Sequence, residues 1–264
     1  MSFAADTAID SSQHPYSGAI AEGWDVVGNA NGGYLLALGA RAMSEAAARP
    51  HPLSVTAHYL SPGKPGPITI DPQIVRAGRR ITTVRASLQS AEKPLIELVG
   101  SFGDIGSIEG PERVDAHPPE LPPPDDCPRS KHDPSLGFPP ALMNKVDLRL
   151  HPDDAQFMRG TPTGEPSIRG WFRLVDDEPL DVFSLLLATD AFPPTIFNAN
   201  LPVAWSPTVE LTAHVRGVPA PGWLRCRFST RFISGGMMEE DGEVWDTTGR
   251  LVAQSRQLAL TPKA

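Results

Sequence analysis

Asp190 follows the apolar run Leu185-Leu186-Leu187-Ala188. A carboxylate near the C-terminus of such a helix meets both desolvation and an unfavourable dipole, so its pKa is expected to be raised. Turned outward as the helix ends before Pro193, the same residue would be an ordinary surface acid. Gln257 lies in Leu251-Val252-Ala253-Gln254-Ser255-Arg256-Gln257. There Gln254, Arg256 and Gln257 break strict alternation, so at least one polar side chain should point inward. Thr208, after Pro207, opens a strand-like run and by itself reads as a β-branched strand residue. Gly32-Gly33 lets backbone approach a ligand closely, and free N–H groups at a helix start can bind a carbonyl oxygen or a phosphate. Gly33 and Tyr34 are therefore candidate oxyanion donors, with turn and cap chemistry as the equal alternative.

Other chemistries lack their residues. Ser184, Ser206 and Ser255 have no GxSxG setting for a serine nucleophile. The segment Asn29-Ala30-Asn31-Gly32-Gly33 has neither GxGxxG spacing nor a Lys-Ser/Thr ending, so it is no nucleotide loop. Cys127 and Cys226 form no CxxC pair, and His151 and His214 have no second His or Cys at i+3 or i+4. Neither a metal nor a cofactor is expected, and a reducing cytoplasm fits best. A net charge of -8 and a pI of about 5.3 repel nucleic acid and anionic lipid. A phosphate-bearing ligand would need a local basic patch. Gly78-Arg79-Arg80 could supply one, though exposed hairpin charges are the plainer reading. No stretch is long enough to span a bilayer, and residues 1–18 have no signal-peptide pattern.

The elements that must position these residues come twice. Tyr34 to Ala48 is rich in helix formers and apolar around most of its circumference, until Arg49-Pro50 stops it. Strand-like runs follow at Leu53 to Leu60, Ile68 to Ala77, Ile81 to Ser90 and Leu95 to Phe102, separated by Gly and Pro. After residue 140 the order repeats. Leu180 to Ala191 reads as a helix halted by Pro193-Pro194, with a buried strand left open by its periodicity. Then come strand-like runs at Thr208 to Val215, Trp223 to Ile233, Met238 to Trp245 and Leu251 to Leu260. Thr56-Ala57-His58 matches Thr212-Ala213-His214, Gly78 matches Gly235, and Leu95-Ile96 matches Leu251-Val252. Many of the chain's 29 prolines fall between Pro111 and Pro140. They cannot join a central strand or helix, which makes this stretch an extended connector. The expected layout is a first half at 1–110, a connector at 111–140 and a second half at 141–264.

One helix plus an antiparallel sheet, used twice, resembles the double-hotdog acyl-CoA thioesterases of the acyl-CoA thioesterase II type. The resemblance rests on Asn31-Gly32-Gly33-Tyr34, Tyr59-Leu60-Ser61-Pro62-Gly63 and Arg76-Ala77-Gly78-Arg79 in the first half. In the second half it rests on Asp190, Thr208 and Gln257, which fall where that family places its catalytic Asp, Thr and Gln. It implies an α+β fold, each helix wrapped by a curved antiparallel sheet, and hydrolysis of a fatty or related acyl-CoA without a cofactor. Asp190 would take a proton from water, while Thr208 and Gln257 would fix where that water sits. Where many members carry a His before the Pro-Gly turn, this chain has Thr56.

A catalytically silent double hotdog that binds acyl-CoA, or acts as an interaction module, is the alternative. A hydratase would need an Asp-His pairing that neither helix supplies. Matching the Leu-Leu runs puts Asp190 opposite Ala40, and matching the last strands puts Gln257 opposite Ser101. One catalytic site per chain is therefore expected, with the first half packing sheet to sheet and lending Gly33 and Tyr34. Assembly into a homo-oligomer is left open.

Overall fold

The computed structural model describes residues 2–91, 93–135 and 139–262. Its first half comprises α1 (Phe3–Asp6), β1 (Ile9–Asp10), β2 (Tyr16–Ile20), β3 (Asp25–Val26), β4 (Asn29–Ala30), α2 (Gly32–Ala47), β5 (His51–Tyr59), β6 (Gly66–Ala77), β7 (Thr82–Ser90) and β8 (Pro94–Gly103). The second half comprises β9 (Val146–Leu150), β10 (Ser167–Leu174), α3 (Val182–Ala188), β11 (Thr208–Val215), β12 (Leu224–Ser229), β13 (Ile233–Ser234), β14 (Met237–Trp245) and β15 (Leu251–Leu260).

Local chemistry sets the helix bounds. The Asn31 side chain caps α2 by accepting from the Tyr34 N–H, and Ala48 closes it in the left-handed conformation at φ 50°. Tyr34 to Leu38, Ala40, Ala42 and Met43 are all buried, as expected of a helix apolar on most faces. Asp181 and Ser184 form a capping box that starts α3 later than the apolar pattern suggests. Thr189 then caps its C-terminus, so the expected 12-residue helix is a helix of 7 residues, entirely buried, followed by a turn that carries Asp190.

Apart from the small β3–β4 pair, the strands join into one antiparallel sheet rather than two packed face to face. Among the described residues its order is β1-β2-β6-β7-β8-β5-β11-β15-β14-β12-β10-β9, with β13 paired to β14. The expectation of sheet-to-sheet packing between halves is thus corrected: the halves meet edge to edge, β5 against β11. Exposed edges invite pairing, and this junction satisfies both. Outward from it the two halves repeat one order, β5-β8-β7-β6 and β11-β15-β14-β12. Thr56 faces Thr212 at the junction, and their hydroxyls lie 2.8 Å apart. The bulges agree too, between Pro52 and Ser54 in β5 and between Thr208 and Glu210 in β11. Strands β1, β2, β9 and β10 extend the sheet beyond the expected elements.

The connector lies along the outer part of the second half. Trp171 Nε1 donates to the Pro122 carbonyl at 2.9 Å, Arg149 donates to that of Pro124 at 2.9 Å, and the Ser130 N–H bonds to Leu148. Among its described residues a short 3-10 turn, Pro124–Asp126, interrupts an irregular course.

Helices α2 and α3 touch through glycine. A Cβ on Gly33 would sit 2.9 Å from the Leu186 carbonyl oxygen and 3.0 Å from that of Leu187. Backbone cannot yield as a side chain can. Gly33→Ala is expected to destabilise the fold by about 1–3 kcal/mol, read as a lowered urea midpoint, whereas an unchanged midpoint would mean the helices are not in close contact there.

Candidate functional site

The turn after α3 brings Asp190 to the N-terminus of α2. Its Oδ2 accepts from the Gly33 N–H at 2.8 Å and from Asn31 Nδ2 at 3.0 Å, and Asn31 Nδ2 also donates to the Asp190 carbonyl at 2.8 Å. Gly32 completes the cradle, because a Cβ there would lie 2.9 Å from Oδ2 and 3.0 Å from the Tyr59 ring. Tyr59 in turn donates its hydroxyl to the Gly32 carbonyl at 2.9 Å. Burial pushes the Asp190 carboxyl up to about 6, against the opposing pull of the Gly33, Gly32 and Asn31 donors. Desolvation thus outweighs the hydrogen bonds, and the expected upward shift is present.

Thr208 and Gln257 come from adjacent strands. Gln257 is buried while its neighbour Arg256 is exposed, so the inward polar side chain anticipated in this strand is Gln257. Gln257 Nε2 donates to Thr208 Oγ1. Asp190, Thr208 and Gln257 all line one cavity of about 800 Å³, whose walls include Leu35, Met143, Phe157, Phe197, Phe228 and Met238. Pro139 and Pro140 at the end of the connector also line it. At its mouth Val27, Leu60, Met158, Val203 and Trp205 are exposed. Few polar groups converging in a mainly apolar hollow of this size is the usual form of a small-molecule site.

The Gly33 and Tyr34 amides are both engaged within the protein. The Gly33 N–H is given to Asp190 and the Tyr34 N–H to Asn31 Oδ1 at 2.9 Å. The Tyr34 ring is buried against Trp24, and its hydroxyl donates to the Asp6 carbonyl at 2.6 Å. Neither amide is free, so the helix start serves as the anion site for the protein's own carboxylate.

The structure adds residues that the sequence did not mark. Asn31 and Tyr59 hold the Asp190 cradle, and each was visible only as part of a motif, Asn31-Gly32-Gly33-Tyr34 and Tyr59-Leu60-Ser61-Pro62-Gly63, without a role of its own. Glu240, buried on β14 and lining the same cavity, stands opposite Gln257 in the strand register. Its place in the acidic run Glu239-Glu240-Asp241 disguises it.

Among the described residues the first half carries no polar counterpart of this site. Aligning the helix caps Asn31 and Asp181 puts Ala40 at the place of Asp190. The junction register puts Pro52 at Thr208 and Val84 at Glu240. It also puts Gly100 at Gln257, not Ser101, because the strand pairing offsets β15 from β8 by one residue relative to the match of Leu95-Ile96 with Leu251-Val252.

Comparison with known proteins agrees with this geometry. The chain matches the acyl-CoA thioesterase N-terminal domain over residues 20–103 and the acyl-CoA thioesterase C-terminal domain over residues 124–261. An uncharacterized protein of Mycobacterium tuberculosis is 28% identical over 266 residues, covering 94% of this chain and 91% of that one. The crystal structure of a candidate thioesterase II from Thermobifida fusca superposes with a TM-score of 0.86 at 28% identity, covering 99% of this chain and 97% of that one. A protein of Alicyclobacillus acidocaldarius with a hot dog fold gives a TM-score of 0.86 at 23% identity, covering 99% and 98%. The chain thus has a hot dog fold with a predominance of sheet, and among the described residues no helix is long and apolar enough to cross a membrane.

The raised pKa of Asp190 has a consequence for stability. Its folded value of about 6 exceeds the model-peptide 3.8. Its contribution is therefore full below about pH 4 and is lost as pH rises through 6. Asp190→Asn removes the cost of the charge, so it should stabilise the protein above pH 6, by at most about 3 kcal/mol. The gain should vanish below about pH 4. Thermal midpoints of parent and variant measured across this range check it; a gain independent of pH would mean that the carboxyl is not desolvated.

Proposed function

Because the chain belongs to the acyl-CoA thioesterase family, carrying both its N-terminal and its C-terminal domain, we propose that it hydrolyses a fatty or related acyl-CoA to the free acid and coenzyme A. The observation that carries this reading is the convergence of Asp190, Thr208 and Gln257 on one largely apolar cavity. On the same reading the fold is a double hotdog, with halves at 1–110 and 141–264 joined by the Pro-rich 111–140, and with one catalytic site.

The chemistry follows from the groups present. Ionised Asp190 takes a proton from a water molecule as the water oxygen bonds to the thioester carbon. With a carboxyl pKa near 6 it is a stronger base than an ordinary aspartate while remaining ionised at neutral pH. The Gly33 and Asn31 donors fix the carboxylate, and the Thr208–Gln257 hydrogen bond fixes the two groups that orient the water. The apolar walls and exposed apolar mouth suit an acyl chain, which gains by leaving water. The reaction consumes only water and needs no cofactor.

Asp190→Asn keeps the size and the Gly33 hydrogen bond but removes the base. Thiol release per folded molecule is expected to fall by about 10² or more on each acyl-CoA that the parent accepts, from short to long chains. Unchanged turnover across that panel would sink the mechanism, and a parent that releases no thiol from any of them would favour a silent acyl-CoA-binding module.

A further inference from the structure

Asp190 shares its cavity with a second carboxyl. Glu240 is 7% exposed, lines the cavity and faces Gln257 across the β14–β15 pair. Residues directly opposite in neighbouring strands project from the same face, roughly 5 Å apart. Glu240 and Gln257, whose amide holds Thr208, therefore leave the sheet side by side toward the same cavity. The Glu240 carboxyl accepts from the Thr195 N–H at 2.8 Å, which fixes it at the start of a 3-10 turn, Thr195–Asn198. Its chain neighbours point the other way, where Glu239 and Asp241 meet Arg231, and Asp241 also meets Arg256. Among the described residues no Lys or Arg pairs with Glu240 itself.

We propose that Glu240 is a second catalytic residue, the acid that delivers a proton to the sulfur leaving the thioester. This rests on the thioesterase reading of the same cavity. A buried carboxyl without a cation is costly to ionise, and it keeps its proton more readily with another carboxylate nearby. Burial pushes Glu240 up to about 7, opposed by the Thr195 donors and reinforced by the negative charges of Asp190 across the cavity and Glu239 beside it. Asp190 has the Gly33, Gly32 and Asn31 donors to favour its ionised form where Glu240 has those of Thr195 alone, so Asp190 gives up its proton first. Two carboxyls whose surroundings separate their proton affinities divide into a base and an acid.

The protons balance. Asp190 takes one from the attacking water as the oxygen–carbon bond forms and the carbonyl electron pair moves onto its oxygen. When that pair returns, the carbon–sulfur bond breaks, its electrons go to sulfur, and sulfur takes the Glu240 proton. One proton passing from Asp190 to Glu240 through water resets the site. The sum is thioester plus water giving acid plus thiol.

If Glu240 merely capped the turn at Thr195, its loss would slow all substrates alike. Proton delivery to sulfur matters for an alkyl thiolate, such as that of coenzyme A, and hardly at all for an aryl thiolate, whose thiol is far more acidic. Glu240→Gln keeps the shape and an acceptor for Thr195. With coenzyme A and thiophenyl esters of the same acyl group, kcat should fall by about 10² on the first and by less than about threefold on the second, with little change in KM. Equal losses on both esters, or no loss on either, would overturn the proposal. If the variant does not fold, the parent decides: kcat should decline above about pH 7 on the coenzyme A ester and not on the aryl ester, and a decline common to both overturns the acid role. A parent inactive on both esters contradicts the thioesterase reading and this proposal together.

Discussion

The contact between the Asp190 carboxylate and the N-terminus of α2 governs the rest of the arrangement. Asp190 sits just past the C-terminus of its own helix, where the dipole opposes negative charge, and in a cavity that desolvates it. Without compensation such a carboxyl would stay protonated at neutral pH. The Gly33 N–H and the Asn31 amide, at a helix start of the opposite polarity, restore part of what water would have given. The outcome is a group left near 6, ionised and yet basic. This demands that the two helices approach until only glycine fits at 32 and 33, which in turn welds the halves together through their helices as well as through the β5–β11 seam.

The duplication is symmetric in backbone and asymmetric in chemistry. Where the second half has Asp190, Thr208, Glu240 and Gln257, the first has Ala40, Pro52, Val84 and Gly100. At the start of α3, where symmetry would put a second cradle, the cap Asp181 is met by Arg41 at 2.7 Å. Arg41 also bonds Thr7 at 2.7 Å and stacks over Phe183 at 4.4 Å. An ion pair and a ring occupy the position that a carboxylate fills at the other end. The first half therefore supplies the cradle, through Asn31, Gly32, Gly33 and Tyr59, while the second supplies the reactive groups.

What the sequence discloses is what local pattern encodes. Strands Thr208–Val215 and Leu251–Leu260 have the bounds that alternation implies, and the break in alternation at Gln257 reports a side chain turned inward. The repeat match of Thr56 with Thr212 falls on the two residues that face each other at the junction, whereas the antiparallel pairing sets Ala57 against Leu211 and His58 against Glu210. Non-local facts are hidden. Edge-to-edge rather than face-to-face joining depends on pairing across more than 150 residues, which no window of sequence contains. The partners of the Gly33 and Tyr34 amides were likewise set by Asp190 and Asn31 rather than by the Gly-Gly pattern. Glu240 escaped because three consecutive acids read as a solvated surface, although Met238, Glu240, Gly242 and Val244 form the buried side of β14. β10, Ser167–Leu174, was obscured by Gly170 and by two arginines alternating with its apolar residues.

The central claim is that a desolvated Asp190, held by the Gly33 amide, is the base of the site. The Gly33 amide proton reports this directly, since its chemical shift follows the charge on the carboxylate it donates to. Followed by NMR over pH in the parent and in Asp190→Asn, it should move with its main midpoint near 6 in the parent and stay flat in the variant. A shift that does not titrate in the parent, or that titrates at the ordinary aspartate value near 4, would contradict the account.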